Sequence, residues 1–214
     1  LHDAVKIELD KVNQAMSTYI ETSELSLFNA NKSTNPVRIS SSIQEVLEAA
    51  QSMHQLSSGA FDVTVGPLVN AWGFGPNKAE TMSPQKLQVL KQRVGFDKLI
   101  LDTVNHSLTK SHADIYVDLS AIAKGYAVDQ IAARLLNLNY SNFMIEIGGE
   151  IRVHGKNGQK LPWRLGIEKP TELERAVYEV LHLSRGAMAT SGDYRNFVDK
   201  QGKRYSHTID PRSG

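Results

Sequence analysis

The chain has 214 residues, of which 41% are hydrophobic and 22% charged, which is ordinary globular composition for one large domain or two small ones. Its 24 basic and 23 acidic residues leave a net charge of +1, so it has no strong basic field to hold nucleic acid or an anionic membrane. With no cysteines, disulfides, thiolate metal sites and cysteine nucleophiles are excluded for this chain, and no apolar run approaches the roughly 18 residues of a membrane span.

Residues 1 to 19 read as an amphipathic helix and not as a signal peptide. Val5, Leu9, Val12 and Met16 recur at helical spacing on one face. The chain opens inside this helix and closes on Pro211-Arg212-Ser213-Gly214, a turn sequence, so both ends read as cut. Ser23 to Pro36 is rich in Ser, Thr and Asn and reads as loop. A second helix is expected from Ser42, which forms a capping box with Glu45. Its apolar face is Ile43, Val46, Leu47, Ala50 and Met53, and Gly59 is placed to end it. Phe61 to Val65 alternates like a strand and runs into a Gly66-Pro67 breaker. Trp72-Gly73-Phe74-Gly75-Pro76 then reads as a glycine-hinged aromatic loop. Ser83-Pro84 is an N-cap and N1 pair, so a third helix spans Pro84 to Val94.

Short strands are expected at Leu99–Leu101 and Ile115–Leu119, then a helix over Ala121–Leu136. Phe143 to Val153 reads as a strand broken by Gly148-Gly149, and Asn157-Gly158 as a hairpin turn. Strands return at Trp163–Ile167 and Tyr178–Leu183, and the tail holds two more around Gln201-Gly202. Hairpin-like strands with separate helices argue an α+β fold of mixed or antiparallel sheets with packed helices.

Four stretches carry polar residues where packed elements prefer apolar ones. Asp62, between Phe61 and Val63, lies on the opposite face of the expected strand; it is either solvated or a carboxylate accepting hydrogen bonds from a ligand. Asp118 stands before a tight turn into the helix over Ala121–Leu136. A helix start suits phosphate, and Lys124 in the first turn, poorly placed for the dipole, hints at an anionic partner. The plainer alternative makes Asp118 a cap and Lys124 a solvated cation. Gly148-Gly149 permits close backbone approach, or marks a bulge. The fourth stretch joins Thr190-Ser191-Gly192-Asp193-Tyr194-Arg195 to Ser206-His207-Thr208-Ile209-Asp210-Pro211. His207 there is either a general base or a packed residue, and Asp210-Pro211 reads as a turn. A Walker A loop, H-E-x-x-H, G-x-S-x-G and a clustered His set are all missing, whereas magnesium needs only one or two carboxylates with phosphate and water oxygens.

Taken in order, these segments resemble the ApbE family of FAD:protein FMN transferases. The resemblance is carried by Ser17-Thr18-Tyr19 with Ser23 to Asn29, Gly59 to Pro67, Val117 to Asp129, Ile147-Gly148-Gly149, Thr190-Ser191-Gly192 and Ser206 to Pro211. It implies one domain over residues 1–214 with FAD in a central cleft. Tyr19 would stack on the flavin; Ala60, Phe61, Asp62, Asp118, Lys124 and Ile209 would contact FAD; the Ala121 carbonyl would ligate Mg²⁺. His207 corresponds to the family's histidine implicated in transfer, with Asp210 an alternative proton acceptor. The implied reaction moves FMN from FAD to a Ser or Thr hydroxyl of a target flavoprotein, such as a subunit of a membrane quinone-reductase-type redox complex, and releases AMP. Tyr19, in place of Asn, resembles the transferring members and not those that hydrolyse FAD. A FAD pyrophosphatase and a non-catalytic FAD-binding module are the alternatives. The family's early Met-Gly-Thr strand and late Asp-Ala-x-x-Thr metal segment have no counterpart in this sequence. Family members are usually periplasmic lipoproteins, so an anchor upstream of Leu1 is expected.

Overall fold

The computed structural model describes residues 1–75, 82–171, 176–192, 197–200 and 203–214. In chain order the helices are α1 (His2–Met16), α2 (Glu24–Ala30), α3 (Ser41–Leu56), α4 (Gly66–Trp72), α5 (Pro84–Lys91) and α6 (Ser120–Asn137). The strands are β1 (Val37–Arg38), β2 (Leu99–Asp102), β3 (Ser107–Lys110), β4 (Phe143–Ile147), β5 (Glu150–His154), β6 (Trp163–Glu168), β7 (Val177–Leu183), β8 (Arg185–Met188), β9 (Phe197–Lys200) and β10 (Lys203–Ser206). Every strand pairing among the described residues is antiparallel, so the α+β expectation holds.

Two compact units divide the chain. One comprises residues 10–123 and 207–214. It carries a sheet ordered β1-β3-β2 with α2 to α5. The apolar face expected of α3 is buried at Ile43, Val46, Leu47 and Ala50, but Met53 is 46% exposed. Leu68 and Ala71 of α4 pack with Leu90 and Val94, and Val65, Met82, Leu87 and Ile209 lean on that cluster. The other unit comprises residues 1–9 and 124–206, with sheets β4-β5-β8, β6-β7 and β10-β9. Its core gathers Ile131, Ala132 and Leu135 of α6 with Phe143, and Val5 and Leu9 of α1 pack against them.

Local expectations fail where a side chain changes what the backbone does. Ser23 to Pro36 contains a helix, α2, because the Ser23 hydroxyl accepts from the Ser26 N–H as an N-cap. α3 is capped by Ser40, whose hydroxyl accepts from the Ile43 N–H, and Ser42 only bonds to that hydroxyl. Gly66-Pro67 opens α4, since proline suits a first helical turn. Gly73, left-handed at φ 89°, closes it. Phe61 to Val65 is a turn and not a strand. The Ile115–Leu119 segment is not a ladder strand either, although Ile115, Val117 and Leu119 are buried in strand-like alternation. Gly148-Gly149 joins two strands, β4 and β5; both glycines have positive φ (57° and 98°), as a two-residue primed hairpin requires. Asn157-Gly158 is a loop between different sheets, where the Asn157 side-chain oxygen accepts from the Gln159 and Leu161 N–H groups. β9 and β10 are the expected tail strands, while their Gln201-Gly202 turn and Pro76 lie outside the described residues.

Candidate functional site

In the first unit the turn Gly59 to Val65 is organised by Asp62, which is 7% exposed. One carboxylate oxygen accepts from the Thr64 N–H (2.8 Å) and hydroxyl (2.6 Å), and the other from the Phe96 N–H (2.9 Å). His54 Nδ1 stands 3.5 Å from that second oxygen and 2.9 Å from the Phe61 carbonyl, with its ring tilted over Phe96. The buried carboxylate is therefore matched by protein donors, as burial of a charge demands. Phe61 is half-buried and Ala60 exposed on the same turn.

Asp118 is reached from this turn. Its N–H donates to the Val63 carbonyl at 2.7 Å, and its carboxylate accepts from the Ser120 N–H at 2.9 Å, at the start of α6. Beside it lies Tyr116. Burial above all, and then the negative Asp118, push that phenol's pKa above its ordinary value. The ring fits because residue 66 is glycine: a Cβ there would lie 2.4 Å from Tyr116 Cδ1.

Tyr19 is 71% exposed, its ring free to meet a ligand, on a turn pinned by Ser17. The Ser17 hydroxyl accepts from the Tyr19 and Ile20 N–H groups, while its carbonyl accepts from the Ser23 and Ser26 hydroxyls. His207 is half-buried, edge-on to Phe74 at 6.3 Å between ring centroids. Ile209 packs on the Leu68 cluster, and Asp210 is held by a two-point contact with Arg212, which lowers its pKa. Among the described residues no three His, Asp or Glu side chains gather as a metal cage. Ala121 is exposed in the first turn of α6. Gly125, one turn further on, has open space where its Cβ would be. A backbone carbonyl keeps a second lone pair when it accepts one helical hydrogen bond, so the Ala121 oxygen is of the donor type that a Mg²⁺ completed by phosphate and water oxygens uses.

In the second unit Lys124 reaches the β4–β5 hairpin. Its ammonium lies 2.9 Å from Glu150 Oε2 and donates to the Gly148 carbonyl at 3.3 Å. Glu150 Oε2 is buried without a well-directed hydrogen bond, so this contact is a charge pairing rather than a shaped one. Thr190 lies against Gly149, its hydroxyl 3.0 Å from where a Cβ would stand. Asp193, Tyr194 and Arg195 of the same stretch lie outside the described residues.

A family model matches residues 1–214, described as the ApbE family. The chain belongs to the ApbE family. A Haemophilus influenzae protein named FAD:protein FMN transferase is 48% identical over 219 residues, covering 100% of this chain and 63% of that protein. A Vibrio cholerae protein of the same name is 45% identical over 208 residues, 96% of this chain and 62% of that protein. The solved structure titled flavin transferase ApbE from Vibrio cholerae superposes with a TM-score of 0.90 at 41% identity, covering 99% of this chain and 67% of that one. The chain therefore spans less than two thirds of the length of these curated ApbE relatives. Sequence reasoning missed Tyr116, His54, Thr64 and the roles of Asn29 and Gly66. Polar residues interleaved with buried apolar ones were the available signal.

Proposed function

We propose that this protein is a FAD:protein FMN transferase that moves FMN from FAD to a Ser or Thr hydroxyl of a target flavoprotein. The observation that carries the reading is the match along all of residues 1–214 to a family whose curated members bear that name at up to 48% identity. In this reading Tyr19 stacks on the flavin. The Ala60-Phe61-Asp62 turn, Asp118, Lys124 and Ile209 hold the dinucleotide, with Lys124 exchanging part of its Glu150 pairing for phosphate. The target hydroxyl oxygen bonds to the FMN phosphorus, the bond from that phosphorus to the AMP oxygen breaks, and AMP leaves. His207 accepts the hydroxyl proton as general base. The Ala121 oxygen would hold Mg²⁺ on the protein side, and the ion would neutralise the diphosphate charge. The target is a subunit of a membrane quinone-reductase-type redox complex. The protein is periplasmic and lipid-anchored, which fractionation of the native cell tests.

The reaction is tested by incubating the full-length protein with FAD, Mg²⁺ and a candidate target domain. Mass spectrometry is expected to find FMN on one Ser or Thr. AMP release with an unmodified target would mean a FAD pyrophosphatase, and intact bound FAD without AMP would mean a binding module. His207→Ala is expected to retain FAD and to lose about a hundredfold or more in transfer; equal transfer would remove His207 from the reaction. Lys124→Ala is expected to weaken FAD retention by about 1–2 kcal/mol.

A further inference from the structure

The Ile115–Leu119 segment has the burial of a strand and lacks a strand partner. Val117 is 0% exposed, so its N–H and C=O must both be paired inside the protein. Both are, by one side chain. Asn29 Nδ2 donates to the Val117 carbonyl and the Val117 N–H donates to Asn29 Oδ1, each at 2.8 Å. A carboxamide has the donor and acceptor of a peptide group, so it stands in for a neighbouring strand at a single residue. The next residue is Asp118, clamped in turn through its N–H on Val63.

Asn29 is itself held firmly. It sits near the end of α2, where Lys110, 1% exposed, donates to the carbonyls of Phe28 (3.0 Å) and Asn31, its ammonium 4.9 Å from the Phe28 ring centroid. The start of α2 holds the Tyr19 turn, because Ser23 and Ser26 bond the Ser17 carbonyl. One two-turn helix thus ties the Tyr19 turn at one end and the Asp118 segment at the other.

We infer that Asn29 is a positioning residue of the proposed flavin site: its buried carboxamide replaces a strand partner for Val117 and thereby fixes Asp118. This rests on the function proposed above. No other side chain of similar size offers both groups. Aspartate loses the donor when ionised but regains one when protonated, so Asn29→Asp should mimic the amide only in acid. Charged groups around that position include the Lys110 ammonium on the neighbouring Phe28 and Asn31 carbonyls, and Asp118, next to Val117 in the chain. Lys110 favours the ionised carboxylate, while burial against the Val117 carbonyl opposes it.

The test measures FAD retention of the full-length protein by flavin fluorescence quenching, comparing each variant with the unmodified protein at the same pH. Asn29→Asp is expected to bind FAD about tenfold or more weakly near pH 8 and to return to within about threefold near pH 5. Asn29→Ala should be weak at both. Equal weakness of Asn29→Asp at both pH values, or unmodified binding at both, would overturn the inference. If the unmodified protein retains no FAD, the functional reading fails and this inference with it. If unmodified protein binds and Asn29→Asp binds equally, only the inference falls. Should Asn29→Asp lack a cooperative melt, hydrogen exchange of the unmodified protein decides. Protection of the Val117 amide matching that of α3 supports the clamp, and rapid exchange there overturns it.

Discussion

Gly66→Ala tests the packing that places Tyr116 beside Asp118. An added methyl would lie 2.4 Å from Tyr116 Cδ1, 2.9 Å from Cε1 and 3.4 Å from Asp118 Cβ. Comfortable carbon contacts fall near ~3.5–4.0 Å, so the overlap with the ring exceeds about 1 Å. The ring is half-buried, which limits how far it can swing aside. Overpacking of this kind costs about 1–3 kcal/mol. Alanine recovers at most about 1 kcal/mol through helix propensity, less in the first turn of α4. The net loss, about 1–2 kcal/mol, should lower Tm by roughly 2–8 °C at this chain length. Urea denaturation should show a lower midpoint with an unchanged m-value. A melt within about 1 °C of the unmodified protein would refute the claim that the Tyr116 ring is locked against α4.

Asp62→Asn keeps the shape of the side chain but turns one acceptor oxygen into a donor facing either Thr64 or the Phe96 N–H. Urea unfolding should register a loss of about 2–3 kcal/mol. Tyr116→Phe tests a titration. The folded phenol is held above its ordinary value, so its contribution is complete below about pH 10 and is lost as pH rises through the folded pKa. The variant should therefore lose less stability than the unmodified protein as pH rises above about 10, read from paired melts. Gly125→Ala should stabilise α6 by about 0.5–1 kcal/mol, since nothing crowds the new methyl.

The elements read best from sequence are those whose signal is local. α3, α5 and α6 follow from apolar periodicity, and Ser83-Pro84 marks the start of α5 directly. The family was legible because the order of the segments that carry the resemblance is distinctive, and the family match covers the whole chain. α2 escaped because its polar composition masks a helix whose N-cap is Ser23 and whose last carbonyls need a lysine 82 positions away in sequence from Phe28. Asp62 was read on a strand face; the backbone turns there because Thr64 and Phe96 both donate to its carboxylate.

Sequence alone determined the α+β class, the helix faces and the family, since each depends on residue types at short spacings or on their order along the chain. Tertiary structure decided which polar side chains serve as backbone partners. Ile115–Leu119 alternates like a strand in sequence, yet a single carboxamide from residue 29 completes its pairing. A buried N–H and C=O must find partners, but the primary sequence does not say whether they come from another strand or from one side chain across the core.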